Sequence, residues 1–370
     1  MARWPFDGAI YDWNGTFRNF LGSQAEGLIL RTVAPGGCWD LEFSLQRKAT
    51  LNYPDIDYPF DVRLYDNQGV FHRTRMERRT DELGDNAEQI QIRAINTIAD
   101  YQGYASKVFA LGTAIETAVS TVRTDLMPKV TAESLVATGR TLTAAYTIKA
   151  KKARAVLQAL CDLGTSADVL LYWYVWPDGA ADAYQLLLEA KPATAGYFVD
   201  IRNIRGRFGW DGEQYANKVT VIYNAGASNV SVQDTALQGT GPTGTNDIRE
   251  KFLEVPDLAN STDATNLGNS ALLVYKLLRG MPENAIISAP WAITDTNRQL
   301  VPLWRVRAGK RIAIRGLQPL RLGTVTDGRN TPFITQTEYN ADTGVLSLHF
   351  ENIEATLEGM IAKLKQRTEI

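Results

Sequence analysis

The sequence contains little of what builds a catalytic or metal site. Among its 370 residues there are two histidines, His72 and His349, and two cysteines, Cys38 and Cys161. Two cysteines are too few for a disulfide framework or a cysteine-rich zinc site. Two histidines leave little scope for acid–base catalysis or metal ligation. We therefore expect a protein that is not an enzyme and that holds no cofactor or metal.

The net charge is also small, and the apolar runs are short. The formal net charge is -2, so no global positive field would attract nucleic acid or an anionic membrane. The most apolar run, Val169–Trp176, is eight residues long, whereas a membrane-spanning helix needs ~20. Charges at Arg3, Asp7 and Asp12 interrupt any signal-peptide core. We expect no membrane segment, and synthesis in a reducing compartment.

Period-two alternation dominates the first hundred residues. Along Cys38–Gln46 the apolar side chains occupy alternate positions, which is the pattern of a half-buried strand. Phe60–Tyr65 and Val70–Met76 flank a short turn that ends at Gly69, which is typical of a hairpin. Many short antiparallel strands at this spacing predict a small barrel or a sandwich.

The period then changes to that of a helix. The apolar spacing predicts a helix over Lys107–Leu126, with Ser106 as its N-cap, and a second helix over Ala150–Leu163. A hairpin follows, with strands at Ala167–Trp176 and Tyr184–Leu188. Together these elements predict a compact α+β block between two β regions.

Strand patterns return in the second half of the chain. A Gly/Ser/Thr/Asn-rich stretch, Ala225–Asn246, predicts an exposed loop, and a third helix is expected over Asp263–Arg279. Strands are predicted at Tyr197–Ile204, Asn217–Asn224, Trp304–Val306, Arg311–Arg315, Phe333–Tyr339 and Val345–Phe350. The fold class is therefore a β-rich α+β fold.

Basic residues cluster on two of the predicted β regions. Solvated strand faces are the usual interpretation of such clusters. Because arginine is favoured at interfaces, a face that meets an acidic partner protein is the other interpretation. The residues of this candidate basic face are Arg73, Arg75, Arg78, Arg79, Arg305, Arg307, Lys310, Arg311 and Arg315.

The C-terminal segment predicts an amphipathic helix. Its apolar residues Ile353, Leu357, Met360 and Leu364 follow a 4-3-4 spacing, the seam of a short coiled coil or of a docked helix. Subunit or fibre docking through this seam is one interpretation, and packing onto its own domain is the other.

The order of elements resembles the tail hub proteins of tailed phages, of the baseplate-hub and N-terminal tail-associated-lysin type, which are related to hubs of gene transfer agents and contractile injection systems. The resemblance covers most of the chain, and none of its motifs is catalytic. The stretches that carry it are Trp39–Phe43, Val62–Asp66 with Gly69–His72, Ala155–Leu188, Pro302–Arg311, Phe333–Tyr339 and the Ala341–Gly344 hairpin.

The resemblance implies two tube-like antiparallel β-barrel domains with α+β insertion domains. On this chain the first barrel would cover 1–100 and the second 195–225 with 285–350. An α+β domain would cover 101–194, a loop-and-helix insertion 226–284, and the terminal helix 351–370. Many relatives continue into a lytic or fibre region, so such activity would have to come from a partner.

The resemblance also implies a mechanical function at the tip of the virion tail. Three chains would form a ring that adapts a hexameric tail tube to a threefold central spike or fibre and closes the tube until DNA ejection. The partners would be two further copies, the tail tube or distal tail protein, the spike or fibre, and the tape measure protein, with DNA only in transit. Synthesis would take place in the host cytoplasm.

Two other functions remain open from the residues alone. A monomeric carbohydrate-binding module would use an aromatic surface such as Trp173, Tyr174 and Trp176. A cell-wall hydrolase would use a carboxylate pair, for which Asp55 with Asp57 and Glu77 with Asp81 are candidates.

Overall fold

The computed structural model describes most of the chain, with gaps at several loops and at the C-terminus. The described residues are 4–12, 15–21, 25–48, 60–83, 87–95, 98–142, 145–164, 170–178, 183–207, 216–238, 248–255, 261–277, 284–317, 321–322, 325–326 and 330–351. The predicted terminal helix, with Ile353, Leu357, Met360 and Leu364, lies outside them.

Strands make up most of the described structure. In chain order they are β1 Asp7–Asp12, β2 Phe17–Phe20, β3 Ala25–Val33, β4 Gly36–Lys48, β5 Phe60–Asp66, β6 Gly69–Leu83, β7 Ala87–Ile95, β8 Gly103–Phe109, β9 Val130–Leu135, β10 Tyr146–Lys152, β11 Leu171–Pro177, β12 Tyr184–Ala190, β13 Ala195–Asp200, β14 Arg205–Arg207, β15 Lys218–Tyr223, β16 Ser228–Gln233, β17 Glu250–Val255, β18 Asn284–Ile287, β19 Ile293–Asp295, β20 Arg311–Arg315, β21 Arg321–Leu322, β22 Val325–Thr326, β23 Ile334–Asn340 and β24 Val345–Phe350. The helices are α1 Ile115–Leu126, α2 Ala153–Gly164, α3 Thr235–Gln238 and α4 Ser261–Leu277. None of them is both long and apolar enough to cross a bilayer.

One long sheet runs through both predicted β regions. Its strand order is β14-β18-β24-β23-β3-β4-β7-β6-β5-β1-β2, and β11 attaches to β4 with β12 and β9 beyond it, which makes fourteen strands. β19, β13 and β20 form a small sheet that meets the start of β23 through a bridge between Arg311 and Phe333. Within the described residues the long sheet has three open edges, at β14, β2 and β9, and no closed barrel is formed.

The two β regions are joined by pairing between β3 and β23. Five residue pairs are in register, from Gln336 opposite Val33 to Asn340 opposite Ile29. Inside this join the Thr32 and Thr337 hydroxyls lie 2.6 Å apart, and the Ala308 backbone N–H donates to Thr32 Oγ1 at 2.9 Å. The side chains beneath the join form one continuous core. The two β regions therefore fold as one body.

On the outer face of the join, Arg31 connects three neighbouring strands. Its Nε donates to Glu338 on β23 at 2.7 Å, and its Nη1 lies 3.3 Å from Asp40 and 3.1 Å from Glu42 on β4. The pKa of Arg31 rises; burial opposes the rise, but hydrogen bonds and attraction from these carboxylates outweigh it. The guanidinium therefore stays charged and holds the strands in register.

A second core belongs to the α+β block. The α1 and α2 helices pack on β9, β12 and β11, and Val156, Leu157, Leu160 and Cys161 of α2 all face inward, as their spacing predicts. Gly37 lets β4 reach this block, because a Cβ there would lie 2.3 Å from the Val175 carbonyl oxygen. The block is thus attached to the long sheet by backbone pairing.

The first predicted helix begins too early. Val108 and Leu111 fit a helical spacing, but Gly103–Phe109 forms β8, which pairs with β10. Gly112, at φ +82°, turns the chain, and α1 starts only at Ile115, after Ala114 rather than after Ser106. Val108 is exposed instead of inward. The apolar positions of this stretch fit both a helical and a strand period, and the pairing of β8 with β10 makes it a strand.

The glycine-rich stretch predicted as a loop carries structure of its own. Residues 228–233 form β16, which pairs with β15, and β15 also pairs in parallel with β17. The α4 helix covers one face of this small sheet with Leu267 and Ala271. The β15 strand therefore belongs with the insertion rather than with the second β region, and the boundary predicted at 225/226 lies before β15. Trp304 and Arg305, predicted as the start of a strand, lie in the 3₁₀ turn Leu303–Arg305.

We expect Thr32→Val to destabilise the joined sheet. The substitution leaves the buried Ala308 N–H and Thr337 hydroxyl without their shared partner, at a cost of about 1–3 kcal/mol in the free energy of unfolding. Urea unfolding followed by tryptophan fluorescence measures this loss. The matched control is Thr131→Val at an exposed position of β9, which should change stability by no more than about 0.5 kcal/mol. Equal effects at the two sites would contradict the account.

Candidate assembly surfaces

The first predicted basic cluster is not an open face. Arg73 on β6 is 1% exposed and lies 2.5 Å from Asp61. The Arg75 guanidinium lies 4.4 Å from the Tyr101 ring. Arg78 and Arg79 are on the same strand, and their side chains lie outside the described part of the structure. For Arg73 the prediction of a partner-facing side chain is wrong, because another part of the same chain covers it.

Most of the second cluster also has intramolecular partners. Arg315 on β20 is exposed, with its guanidinium 4.8 Å from the Phe198 ring. The others are engaged as follows: Arg305 with Asp66, Arg307 over Trp176 at 4.4 Å, Lys310 with Glu189 at 3.1 Å, and Arg311 with the carbonyls of Pro192 and Thr331 at 2.6 and 2.9 Å. The cluster contributes contacts between parts of the chain, and the structure does not assemble it into one basic surface.

A buried charge cluster joins the long sheet to the α+β block. Asp61 on β5 receives Arg63 Nε at 3.2 Å and Arg73 Nη2 at 2.5 Å. The Arg73 guanidinium lies 4.2 Å from the ring of Tyr184 on β12, and Arg63 lies 3.8 Å from the ring of Tyr11. Buried charges are costly unless they are paired and stacked. Asp61 and Tyr184 are therefore central to this junction, and no local pattern in the sequence marks either of them.

A second junction lies at the β5–β6 hairpin. Asp66 accepts hydrogen bonds from the Arg305 guanidinium and from Trp304 Nε1, the latter at 3.0 Å. Burial would raise the pKa of Asp66, but the hydrogen bonds from Arg305, Trp304 and the Gln68 backbone outweigh it and lower the pKa. Arg305 also donates to the Gly69 carbonyl. The hairpin predicted at Gly69 is thereby fixed to the second β region.

His72 and Cys38 are both buried near Arg73 of the Asp61 charge cluster. His72 Nε2 lies 3.2 Å from the Asp40 carbonyl oxygen and donates to it. Burial lowers the pKa of His72 to about 4, and burial raises the pKa of the Cys38 thiol to about 11. A neutral imidazole and an unionised thiol without solvent access are packing groups.

The aromatic surface required for a glycan-binding module is not formed. Trp173, Tyr174 and Trp176 are all buried. Tyr174 packs so closely on Gly309 that a Cβ there would lie 2.4 Å from its hydroxyl, and Gly309 has φ +90°. Tyr174 and Trp176 contact Gly309 and Arg307 of the second β region, whereas Trp173 lies in the core of the α+β block. The carbohydrate-binding alternative therefore loses the residues on which it depended.

Carboxylates that line a shallow groove between α1 and β9 are already engaged. Asp125 accepts from the Tyr104 hydroxyl at 2.7 Å and from Lys107 Nζ at 3.1 Å, which together lower its pKa. Glu133 pairs with Arg123 at 2.6 Å. Asp55 and Asp57 lie outside the described residues, as do the side chains of Glu77 and Asp81. In the part of the chain that is described, no three His, Cys, Asp or Glu side chains are grouped to hold a metal.

Solved structures of tail proteins share this architecture. The 43 kDa tail protein of prophage MuSo2 from Shewanella oneidensis matches with a TM-score of 0.62 and 10% identity, over 94% of this chain and 99% of that one. A tail protein from Neisseria meningitidis matches with 0.58 and 12% identity, over 94% and 97%. A prophage tail protein from Listeria monocytogenes matches with 0.54 and 10% identity, over 97% and 99%.

By sequence, no family profile and no curated protein matches the chain. The likeness is therefore one of fold, and it extends over nearly the full length of three tail proteins, two of them from prophages. The resemblance to tail hub proteins drawn from the sequence is confirmed at this level. The β-rich α+β fold class is confirmed as well.

We expect His72 to make the folded protein sensitive to mild acid. The unfolded chain takes up a proton near pH 6.5 and the folded state only near pH 4, so the unfolded state binds more protons between these values and stability falls as pH falls. Between pH 7 and pH 5 this contributes a loss of about 2 kcal/mol.

Urea unfolding at the two pH values should show that loss in the wild type and not in His72→Gln, whose amide can still donate to the Asp40 carbonyl. His349→Gln, at the exposed histidine of β24, is the matched control and should keep the wild-type slope. An unchanged slope in His72→Gln would contradict the assignment.

Proposed function

We propose that this protein is a structural component at the tip of a phage tail or of a related injection machine. The observation that carries the proposal is the fold likeness to tail proteins, which covers 94% of this chain and 99% of the Shewanella oneidensis prophage protein. The likeness is therefore not confined to one part of the chain. The protein would accordingly reside in the virion tail after synthesis in the host cytoplasm.

In the finer form of the proposal, the chain is a hub. Three copies form a ring that adapts a hexameric tail tube to a threefold central spike or fibre and closes the tube until DNA ejection. Two β regions in each of three chains would present six similar faces to the tube. The partners are the other copies, the tail tube or distal tail protein, the spike or fibre, and the tape measure protein.

The join between the two β regions supports a mechanical role. Forces on a hub pass from the tube through one β region to the other. The β3–β23 ladder, the Arg31 ion pairs and the Arg305–Asp66 contact connect these regions by hydrogen bonds across the chain. A hinge of a few residues would transmit such a load less directly than a continuous sheet. The role needs no catalytic group, so we propose that the chain is not an enzyme.

Light scattering of the purified protein, followed by negative-stain imaging, tests this function. We expect a mass three times the 41.0 kDa of the chain and a threefold ring with a central opening. Recombinant protein added to tail particles that lack it should restore the tail tip. A protein that stays monomeric at all concentrations and does not complement such particles would contradict the hub assignment.

A further inference from the structure

Of the three open edges of the long sheet, β9 is the least protected. Exposed edges are normally blunted by short strands, by basic side chains or by proline. The β2 edge is four residues long and carries Arg18, and the β14 edge is three residues long and carries Arg205 and Arg207. The β9 strand, Val130–Leu135, is six residues long and contains no lysine, arginine or proline. Its open side is therefore a template for a further strand.

The backbone of β9 presents hydrogen-bonding groups at this open side. The Val136 N–H donates to the Leu188 carbonyl at 2.9 Å, so the backbone groups of Val136 point toward β12. Backbone groups alternate in direction along a strand, which turns the N–H and C=O of Glu133 and Leu135 away from β12. Among the described residues no strand pairs with β9 on that side. An added strand would bond to these groups in a regular ladder.

The α1 helix forms a wall along the same edge. Ser120 Oγ donates to Glu133 Oε1 at 2.9 Å, and the Thr138 hydroxyl, just beyond β9, donates to Glu116 Oε2 at 2.8 Å, so α1 runs antiparallel to β9. Arg123 Nε donates to Glu133 Oε2 at 2.6 Å, which holds this carboxylate on α1. Every second side chain of a strand added to β9 would therefore point into the groove between α1 and β9.

The groove is rich in hydrogen-bond acceptors. The hydroxyl of Ser120 donates to Glu133, that of Thr121 to the Thr117 carbonyl at 2.9 Å, and that of Thr124 to the Ser120 carbonyl at 3.0 Å. A hydroxyl whose proton is engaged in this way offers only its lone pairs to a ligand. In the described part of the chain no lysine or arginine lines the groove.

Two carboxylates of the groove each keep one oxygen for a further donor. Glu116 accepts the Thr138 hydroxyl through Oε2, and Asp125 accepts both Tyr104 and Lys107 through Oδ2. No donor among the described residues bonds to Glu116 Oε1 or Asp125 Oδ1. Lysine and arginine side chains only donate, and their charge strengthens hydrogen bonds to a carboxylate. The lining of the groove therefore complements a basic segment.

We propose that the groove between α1 and β9 binds an extended basic segment of a partner protein, which adds to β9 as a further strand. The backbone of the partner bonds to Glu133 and Leu135, and a lysine or arginine among its alternate side chains faces Glu116. Backbone pairing supplies affinity, and the side chains that enter the groove supply specificity. This surface belongs to the α+β block and needs no second copy, so it is independent of the ring proposed above.

Binding of synthetic peptides to the purified protein tests the proposal. The probe is a library of acetylated hexapeptide amides with lysine at every second position and varied residues between, measured by calorimetry. We expect saturable binding of one peptide per chain. Replacing the lysines of the best binder by glutamate should weaken binding about tenfold or more, because like charges would then meet. N-methylation of its edge-facing amides keeps the charge, removes the ladder hydrogen bonds and should weaken binding by about the same factor.

Two variants of the chain locate the site. Glu116→Gln keeps an acceptor for the Thr138 hydroxyl and removes the charge, so it should lower the affinity about tenfold with an unchanged unfolding midpoint. Leu135→Pro removes an outward N–H from β9 and should abolish binding. Glu254→Gln, at an exposed carboxylate of the open edge strand β17, is the matched control and should bind the peptide as the wild type does.

The outcomes are separate from those of the hub test. No saturable binding, or binding that Glu116→Gln and N-methylation both leave unchanged, would overturn the strand-docking groove and leave the tail-tip function in place. If Leu135→Pro does not fold, the N-methylated peptides still decide whether the ladder forms. A peptide that dissociates oligomers of the wild type would show that a second copy occupies the groove, and it would overturn the assignment to a separate partner.

Discussion

The pairing of β3 with β23 is the constraint on which the rest of the structure depends. It brings Thr32 and Thr337, 305 residues apart in the chain, to within 2.6 Å in a buried contact. The chain between these strands has to leave the join and return to it. Closing such a long loop costs little more entropy than closing a short one, because the cost grows only with the logarithm of length. The cores of the two β regions are continuous beneath the join, and burial across both offsets that cost.

Charged side chains determine how the other parts attach to this sheet. Asp61 with Arg63 and Arg73 holds the α+β block through Tyr184, and Asp66 with Arg305 holds the β5–β6 hairpin against the second β region. Buried charged side chains stabilise a fold only when their partners lie in the correct geometry. Apolar side chains alone would tolerate a shifted contact. The buried pairs restrict the block and the hairpin to one position each.

Local patterns predicted much of this fold because strands and helices impose their own periods. The alternation of Trp39, Leu41, Phe43 and Leu45 marks β4, and the spacing of Val156, Leu157 and Leu160 marks the inward face of α2. The turn at Gly69 and the hairpin before Val345 are also where the sequence predicts them. The resemblance to tail hubs drew on this order of elements, and it did not require any side-chain contact to be known.

The surfaces could not be predicted in the same way, because exposure depends on partners that are distant in sequence. Arg73 and Arg75 alternate as a solvated face would, yet Tyr184 and Tyr101 cover them from another part of the chain. Asp61 becomes their neighbour only through the register of β5 with β6. Trp173 and Trp176 had the composition of a binding surface, yet Trp173 is buried in the core of the α+β block and Trp176 packs under Arg307 of the second β region. The exposed Phe17 and Phe20 sit in a short strand whose position at the end of the sheet no local pattern reveals.

The most direct test of the account is native-state hydrogen exchange of the backbone amides in β3, β23 and β24. If the β3–β23 pairing makes one body of the two β regions, these amides open together with those of β4 and with the same free energy. Protection of β3 and β4 that persists while β23 and β24 exchange freely would show two independent bodies, and it would contradict the central claim.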